Sequence, residues 1–332
     1  MSTPSVGVIG AGGWGTAIAL LLARKGIRVP IWGHDPVHVE EMRTARTNEK
    51  YLPGVGLPDT VLPSASLAEC LESRILFVAV PSSYLAGVTG QLAEASGGRR
   101  PILVSCTKGI ERERGLLMTE VMAERFPGAT PAVLSGPNLA GEIGRGIPAA
   151  GVIGCDDAEA LVAVQSLFEG TSFRPYSSAD LRGIQLGGAL KNIFAIAAGV
   201  SDGFGLGDNA KAALVTRSLA EMTRLGTAMG GQRETFSGLS GIGDLMVTCF
   251  SDRSRNHQVG VRLGRGETLD DITASMPNVA EGVPTAASAR AAARRLGVET
   301  PLIDAVHAVL EGKVSPAEAM QSLMARQLKA EE

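Results

Sequence analysis

The segment VGVIGAGGWGTAIALLLARKG near the amino terminus constrains this chain more than any other. It sets Gly10, Gly12 and Gly15 in G-x-G-x-x-G spacing between a β-rich run and a helical one. In such a turn the first glycine permits a tight bend, the second lets the backbone approach a pyrophosphate, and the third lets helix and strand pack closely. The diphosphate then meets unpaired N–H groups and the positive end of the helix dipole. A glycine turn with only structural duty is the alternative, but strand, helix and spacing agree on a dinucleotide. The second β-rich run ends in IWGHDP, and Asp35 lies about 20 residues past the last glycine, where an acidic side chain bonds an adenosine ribose. His34 is equally placed to face a 2′-phosphate. Both residues can instead begin a turn before Pro36, so NAD and NADP both stay open.

The runs SVGVIG, IRVPIWG, RILFVAVP, PILVSCTKG, PAVLSGP and PAAGVIG read as strands buried on both faces. Helical stretches such as TAIALLLARKG, ended by Gly26, separate the early ones. This alternation predicts an α/β fold with a Rossmann-type, doubly wound sheet. After FRPYSSADLRG the chain becomes rich in Ala, Leu and Gly at helical spacing, which predicts a mostly α-helical C-terminal domain. There Asp208 is expected to N-cap NAKAALVTRSLAEMTRLGTAMG, and Gly230 or Gly231 to end it. The expected division is 1–182 for dinucleotide binding and 183–332 for substrate binding and catalysis.

A chain of 332 residues, 45% hydrophobic and 20% charged, carries enough apolar material for two cores. Its net charge of -3 offers no basic field for nucleic acid or anionic lipid, so any phosphate site has to be local. The start shows no basic region followed by a long apolar one, and AIALLLA is too short to span a bilayer. The expectation is a cytoplasmic protein with no integral membrane segment. Cys70, Cys106, Cys155 and Cys249 are widely separated and form no C-x-x-C pair, so buried free thiols are expected, with no metal site.

LGGALKNIFAIAAGV sets a lone lysine, Lys191, among glycines and hydrocarbon, with Gly187 and Gly188 one turn back and Phe194 and Ala195 one turn forward. A long side chain reaching solvent is the plain reading. Other polar residues stand in similar surroundings: Lys108 in SCTKG, Ser135, Gly136 and Asn138 in LSGPN, Asp244 in GLSGIGDLMVTC, and Ser254, Arg255 and Asn256 in SDRSRNHQVG. Any one alone reads as a turn residue or a helix cap. Together they suit carbonyl reduction by a nicotinamide hydride, which builds negative charge on oxygen and needs a nearby cation able to give up a proton. Lys191 fits both needs, Asp244 would hold it, and the Arg255 fork with its neighbours would hold a phosphate.

The segments GAGGWGTA, TKGIE, LSGPNLAGE, GGALKNIFAIAAGVSDGFGLGDNAKAALVTR, GLSGIGDLMVTC, SRNHQVG and VAEGVPT follow one another along nearly the whole chain. In them the sequence resembles the bacterial NAD(P)-dependent glycerol-3-phosphate dehydrogenases. The resemblance implies reversible reduction of dihydroxyacetone phosphate to sn-glycerol 3-phosphate, the precursor of glycerophospholipids, by a homodimer using NAD or NADP. It also implies that Lys191 transfers the proton, that Gly13, Trp14, His34, Ala140, Arg255, Val279 and Glu281 contact the cofactor, and that Lys108, Gly136, Asn138, Asp244, Ser254, Arg255 and Asn256 form the substrate site. Lys108 and Arg255 would touch both ligands. Three positions depart from the family: Gly13 stands for a usual serine, Asn138 for a serine or threonine, and Phe250 for a small hydroxyl residue. A related β-hydroxyacid dehydrogenase and a silent nucleotide sensor are the competing readings, though a sensor would not need Lys108, Lys191, Asp244 and Arg255.

Overall fold

In the computed structural model, which describes residues 5–276, 279–327 and 330, the β-branched runs of the first half become strands of one sheet. The strands are β1 (Val6–Ile9), β2 (Val29–Trp32), β5 (Val61–Ser64), β6 (Ile75–Val78), β7 (Ile102–Ser105), β8 (Thr130–Ser135), β9 (Ala149–Cys155) and β10 (Phe173–Ser178). Their order is β10-β9-β8-β7-β6-β1-β2-β5, and β3 (Thr47–Asn48) and β4 (Leu52–Gly56) form a separate pair. Pairing is parallel throughout the large sheet except between β8 and β9. The strand order reverses between β1 and β6, so their carboxyl ends flank the crevice where open α/β sheets bind ligands.

Alternation along the strands divides the core by face. Ile75 and Phe77 of β6 and Ile102 and Val104 of β7 join one cluster with α1 (Gly13–Ala23), while Leu76, Val78 and Leu103 join another. The first face also takes Met42 of α2 (Pro36–Ala45), and the second takes residues of α3 (Leu67–Leu71), α4 (Ser82–Ala95) and α5 (Met118–Arg125). Ile143 of α6 (Ala140–Gly144) and Val164 of α7 (Ala158–Ser166) complete the first face. Helices on both faces explain why these strands read as continuous apolar runs. One segment differs from expectation. FRPYSS, which is not among the expected strands, is strand β10: it lies at the sheet edge, where Pro175 needs no ladder donor.

The chain forms two compact units, one made of the residues up to Glu111 with Leu116–Gln185, the other of Arg112–Gly115 with the residues from Leu186 onward. The division falls inside the helix α8 (Leu181–Gly203). That helix is long and apolar enough to cross a membrane, but 89% of its apolar window is buried inside the protein, as in a core helix. The second unit continues with α9 (Asp208–Ala228), α10 (Asp244–Phe250), α11 (Arg255–Gly264), α12 (Leu269–Ser275), α13 (Gly282–Leu296), α14 (Pro301–Leu310) and α15 (Pro316–Met324). Asp208 is the first helical residue of α9 rather than its cap. The cap is Gly207, whose φ of 81° excludes a side chain there, and Asp208 faces the positive end of the dipole instead.

Candidate active site

The glycine loop does what its spacing requires, with each glycine distinct. Gly10, which follows β1, takes φ 116°, and a Cβ there would stand 2.5 Å from the Ala79 carbonyl oxygen beyond β6. A Cβ at Gly15 would overlap the Gly10 carbonyl oxygen, so the first turn of α1 lies directly on the loop. At Gly12, the N-cap of α1, a Cβ would meet nothing within 4 Å among the described residues. The loop therefore presents the open backbone of Gly12 and the uncapped first turn at the switch point, a cradle that fits the diphosphate of NAD or NADP. Gly13 has its own reason to lack a side chain: a Cβ would stand 2.7 Å from the Tyr51 carbonyl oxygen. A serine there requires that strand pair to move. Trp14 packs its ring 6.4 Å from that of Phe173, which makes it part of the core beneath the loop.

His34 is exposed at the end of β2. Asp35 caps α2, its Oδ1 accepting from the N–H groups of Val37 at 3.0 Å and His38 at 3.4 Å. Those two bonds hold its carboxyl below the ordinary value. The turn-forming role is thus realised, and it engages one of the two oxygens through which a ribose could be bonded.

Lys108 lies just beyond β7. Its ammonium donates to the Asn138 Oδ1 at 2.7 Å and the Gly136 carbonyl at 3.1 Å, beyond the adjacent strand β8. Gly136 has φ 124° and a Cβ would stand 2.9 Å from Gly151 Cα, so the chain can turn there only as glycine. Asn138 acts here by orienting a lysine. Ala140 opens α6, with its Cβ 3.7 Å from where a Gly13 Cβ would stand, which places it at the glycine loop.

In the second unit the isolated lysine acquires partners from a distant segment. Lys191 is 5% exposed, and its ammonium donates to the Asp244 carboxylate and, at 2.7 Å, to the Thr248 hydroxyl. Asp244 is fully buried. The glycines explain the approach: a Cβ at Gly187 would overlap the Ser240 carbonyl, and one at Gly241 would overlap the Phe236 carbonyl. The turn Leu239–Gly243 thus lies against α8 and delivers Asp244, at the start of α10, to the lysine one turn further on. A surface-reaching lysine is excluded by this pairing. Cys249 stands beside the pair, but burial pushes its thiol up to about 12, so it is a neutral wall and no nucleophile.

Ser254 caps α11, its hydroxyl accepting from the His257 N–H at 3.2 Å. Arg255 donates to the Val279 carbonyl at 2.7 Å, which ties the segment before α13 to the start of α11. Glu281 is the N-cap of α13. Asn256 donates to the Asn192 Oδ1 and accepts from the Gly282 N–H, both at 2.9 Å, so it joins α8, α11 and α13. Thr248 and Asn192 were not singled out from sequence. The signals were present, since Thr248 follows Asp244 by four helical residues and Asn192 adjoins Lys191. A further cluster was missed entirely: Asp202 Oδ2 accepts from Lys211 Nζ at 2.6 Å and from His257 Nε2 at 2.7 Å. Burial raises the Asp202 carboxyl, but those two donors outweigh it and hold the group below its ordinary value. The Lys211 ammonium also sits 4.6 Å from the centre of the Phe250 ring, which gives that exposed ring a partner.

These observations can be set beside known proteins. Residues 5–161 match the NAD-dependent glycerol-3-phosphate dehydrogenase N-terminus, and residues 180–321 match the corresponding C-terminus. A glycerol-3-phosphate dehydrogenase [NAD(P)+] of Geobacter sulfurreducens is 48% identical, covering 98% of each chain, and one of Syntrophotalea carbinolica is 46% identical over 98% of this chain and 99% of its own. A solved glycerol-3-phosphate dehydrogenase from Coxiella burnetii, 36% identical, superposes with a TM-score of 0.93 over 98% of this chain and 99% of its own. The chain belongs to the NAD-dependent glycerol-3-phosphate dehydrogenase family.

Proposed function

We propose that in this member of the glycerol-3-phosphate dehydrogenase family Lys191 moves the proton of the reaction. That reaction is the reversible, NAD(P)H-dependent reduction of dihydroxyacetone phosphate to sn-glycerol 3-phosphate, and its product feeds glycerophospholipid synthesis. When bound, the nicotinamide supplies the hydride. The observation that carries the role of Lys191 is its buried ammonium, held by the fully buried Asp244 and by Thr248 in an otherwise apolar stretch of α8. As the carbonyl carbon is reduced, charge grows on oxygen, and an ammonium beside it stabilises that charge before donating the proton. Asp244 aims the Lys191 ammonium in one direction, and Thr248 supplies a second acceptor to it. In the reverse direction the neutral amine takes the proton from the alcohol.

Ser254, Arg255 and Asn256 hold the substrate's phosphate in this reading, with the guanidinium fork as the main anion contact. Lys108, oriented by Asn138 and Gly136, adds positive charge for both ligands. Gly10, Gly12, Gly13, Trp14 and Gly15 take the diphosphate, and Ala140, Val279 and Glu281 are further cofactor contacts. Asp35 and His34 meet the adenosine end, where the choice between NAD and NADP is made. We place the enzyme in the cytoplasm as a homodimer, which light scattering on the purified protein checks.

The test follows the loss of nicotinamide absorbance on adding dihydroxyacetone phosphate, with NADH and NADPH supplied separately. Lys191→Ala is expected to lower turnover by roughly 10²–10⁴-fold or more while cofactor binding, read by fluorescence, persists. An active Lys191→Ala enzyme removes the assigned role. Oxidation that ignores the phosphate ester moves the reading to a related hydroxyacid dehydrogenase.

A further inference from the structure

Helix α8 carries Lys191, and the first turn of α11 carries Ser254, Arg255 and Asn256. Their separation is set by an unusual crossing. Each helix has G-x-x-x-G, as Gly199 and Gly203 on α8 and Gly260 and Gly264 on α11. A Cβ at Gly199 would overlap the His257 carbonyl, and one at Gly260 would overlap the Ile196 carbonyl. At Gly203 and Gly264 it would stand 2.5 Å from the Val261 carbonyl and 2.8 Å from the Val200 carbonyl. Backbone therefore lies on backbone, which fixes the spacing of the two axes. Glycine faces have no ridges to interlock, so they do not fix how far one helix slides or turns against the other.

Polar ties supply what the glycines lack. His257, two residues past Arg255 in the same first turn, donates from Nε2 to Asp202 Oδ2 over 2.7 Å, and Lys211 holds that oxygen at 2.6 Å from α9. His257 and Lys211 are both buried, and the Asp202 carboxylate that they share is only partly exposed. The second tie is Asn256 to Asn192. Residues 192 and 202 stand about 15 Å apart along a helix, so the ties fix direction as well as spacing.

We infer that His257 is a positioning residue for the substrate's phosphate: through Asp202 it fixes the first turn of α11, so that Ser254 and Arg255 stand at a set distance from Lys191. The inference rests on the reading that this turn holds the phosphate. Loosening the turn costs the enzyme its grip on the phosphate and leaves the Lys191–Asp244 pair as it was. A role confined to stability would instead affect every substrate alike.

The experiment compares wild type, His257→Ala, His257→Gln and Asp202→Asn on dihydroxyacetone phosphate and on unphosphorylated dihydroxyacetone, with thermal melting measured alongside. Loss of one charge-assisted hydrogen bond predicts that His257→Ala raises KM for dihydroxyacetone phosphate about tenfold, with kcat changed by less than about twofold. Activity on dihydroxyacetone stays at the wild-type level. His257→Gln, whose amide N–H reaches the same carboxylate, restores most of the lost KM, and Asp202→Asn shares the defect of His257→Ala. An equal loss on both substrates, or a lower melting temperature with an unchanged preference for the phosphate ester, overturns the inference. A wild-type enzyme with no preference for the phosphate ester overturns the proposed function first, and that result is read before any variant is made.

Discussion

The first unit and the second use glycine for the same physical purpose and with opposite partners. At the loop after β1, Gly12 clears space for a backbone approach from outside, and no described side chain or carbonyl fills it. At the crossing of α8 and α11, Gly199, Gly203, Gly260 and Gly264 clear the same kind of space, and the opposing helix fills it. The units differ in buried charge as well. Lys191, Lys211, Glu221 and Asp244 are each 8% exposed or less in the second unit, against Asp180 in the first, whose sheet faces are packed with hydrocarbon. A glycine in sequence thus marks a close approach, while its partner decides whether the approach serves binding or packing.

The sharpest way to break that comparison is to fill both kinds of space. Gly260→Leu drives a side chain into the Ile196 carbonyl and is expected to cost several kcal/mol, beyond the ~1–3 kcal/mol of ordinary overpacking, read as a large fall in melting temperature or loss of folded protein. If Gly260→Leu melts like wild type, the crossing is not close-packed. Buried charge gives the next largest effect. Glu221 caps α14 by accepting from the N–H groups of Leu302 at 3.0 Å and Ile303 at 2.8 Å, and burial pushes its carboxyl from 4.5 up to about 7. Between those values the folded chain holds a proton that the unfolded chain has released. Stability therefore falls as pH rises through that window, by on the order of 3 kcal/mol in total. Glu221→Gln should flatten the slope in urea titrations run at several pH values, and an unchanged slope assigns it to other groups.

Gly12→Ala separates binding from packing. With φ -76° and open space at the Cβ, the variant should melt within about 0.5 kcal/mol of wild type, the range of surface substitutions. Its NADH affinity should fall, by about tenfold for each 1.4 kcal/mol of lost backbone approach. A destabilised Gly12→Ala that still binds NADH normally would make this glycine the same as those of the crossing. The smallest effect is expected at the exposed rim. Phe250→Ser removes the Lys211 contact, about 0.5–1 kcal/mol in chemical denaturation.

Much of the fold was legible because both faces of the central strands are covered, which turns them into apolar runs that cannot be mistaken for loops. β10 was not legible, since an edge strand that is largely exposed past Phe173 and contains a proline resembles a connector. The antiparallel pairing of β9 with β8 was also hidden, because strand direction leaves no trace in side-chain pattern. Within the site, Lys191 and Asp244 were legible as polar residues without polar neighbours. Thr248 and Asn192 were not, as a threonine or asparagine inside a helix has ordinary explanations. The Asp202, Lys211 and His257 cluster lay furthest from reach, with its members on three helices.

The sequence alone determined where backbone would turn tightly, which runs would be covered on both faces, and that a lone ammonium in α8 needed a carboxylate from elsewhere. These are local properties, set by the absence of a Cβ, by side-chain period and by the cost of burying charge unpaired. Only the tertiary structure decided that Thr248 joins Asp244 in answering Lys191, and that Asn138 orients Lys108. Those outcomes depend on segments tens of residues apart meeting at hydrogen-bond distance, and the packing of the Leu239–Gly243 turn on Gly187 brings the first of them about.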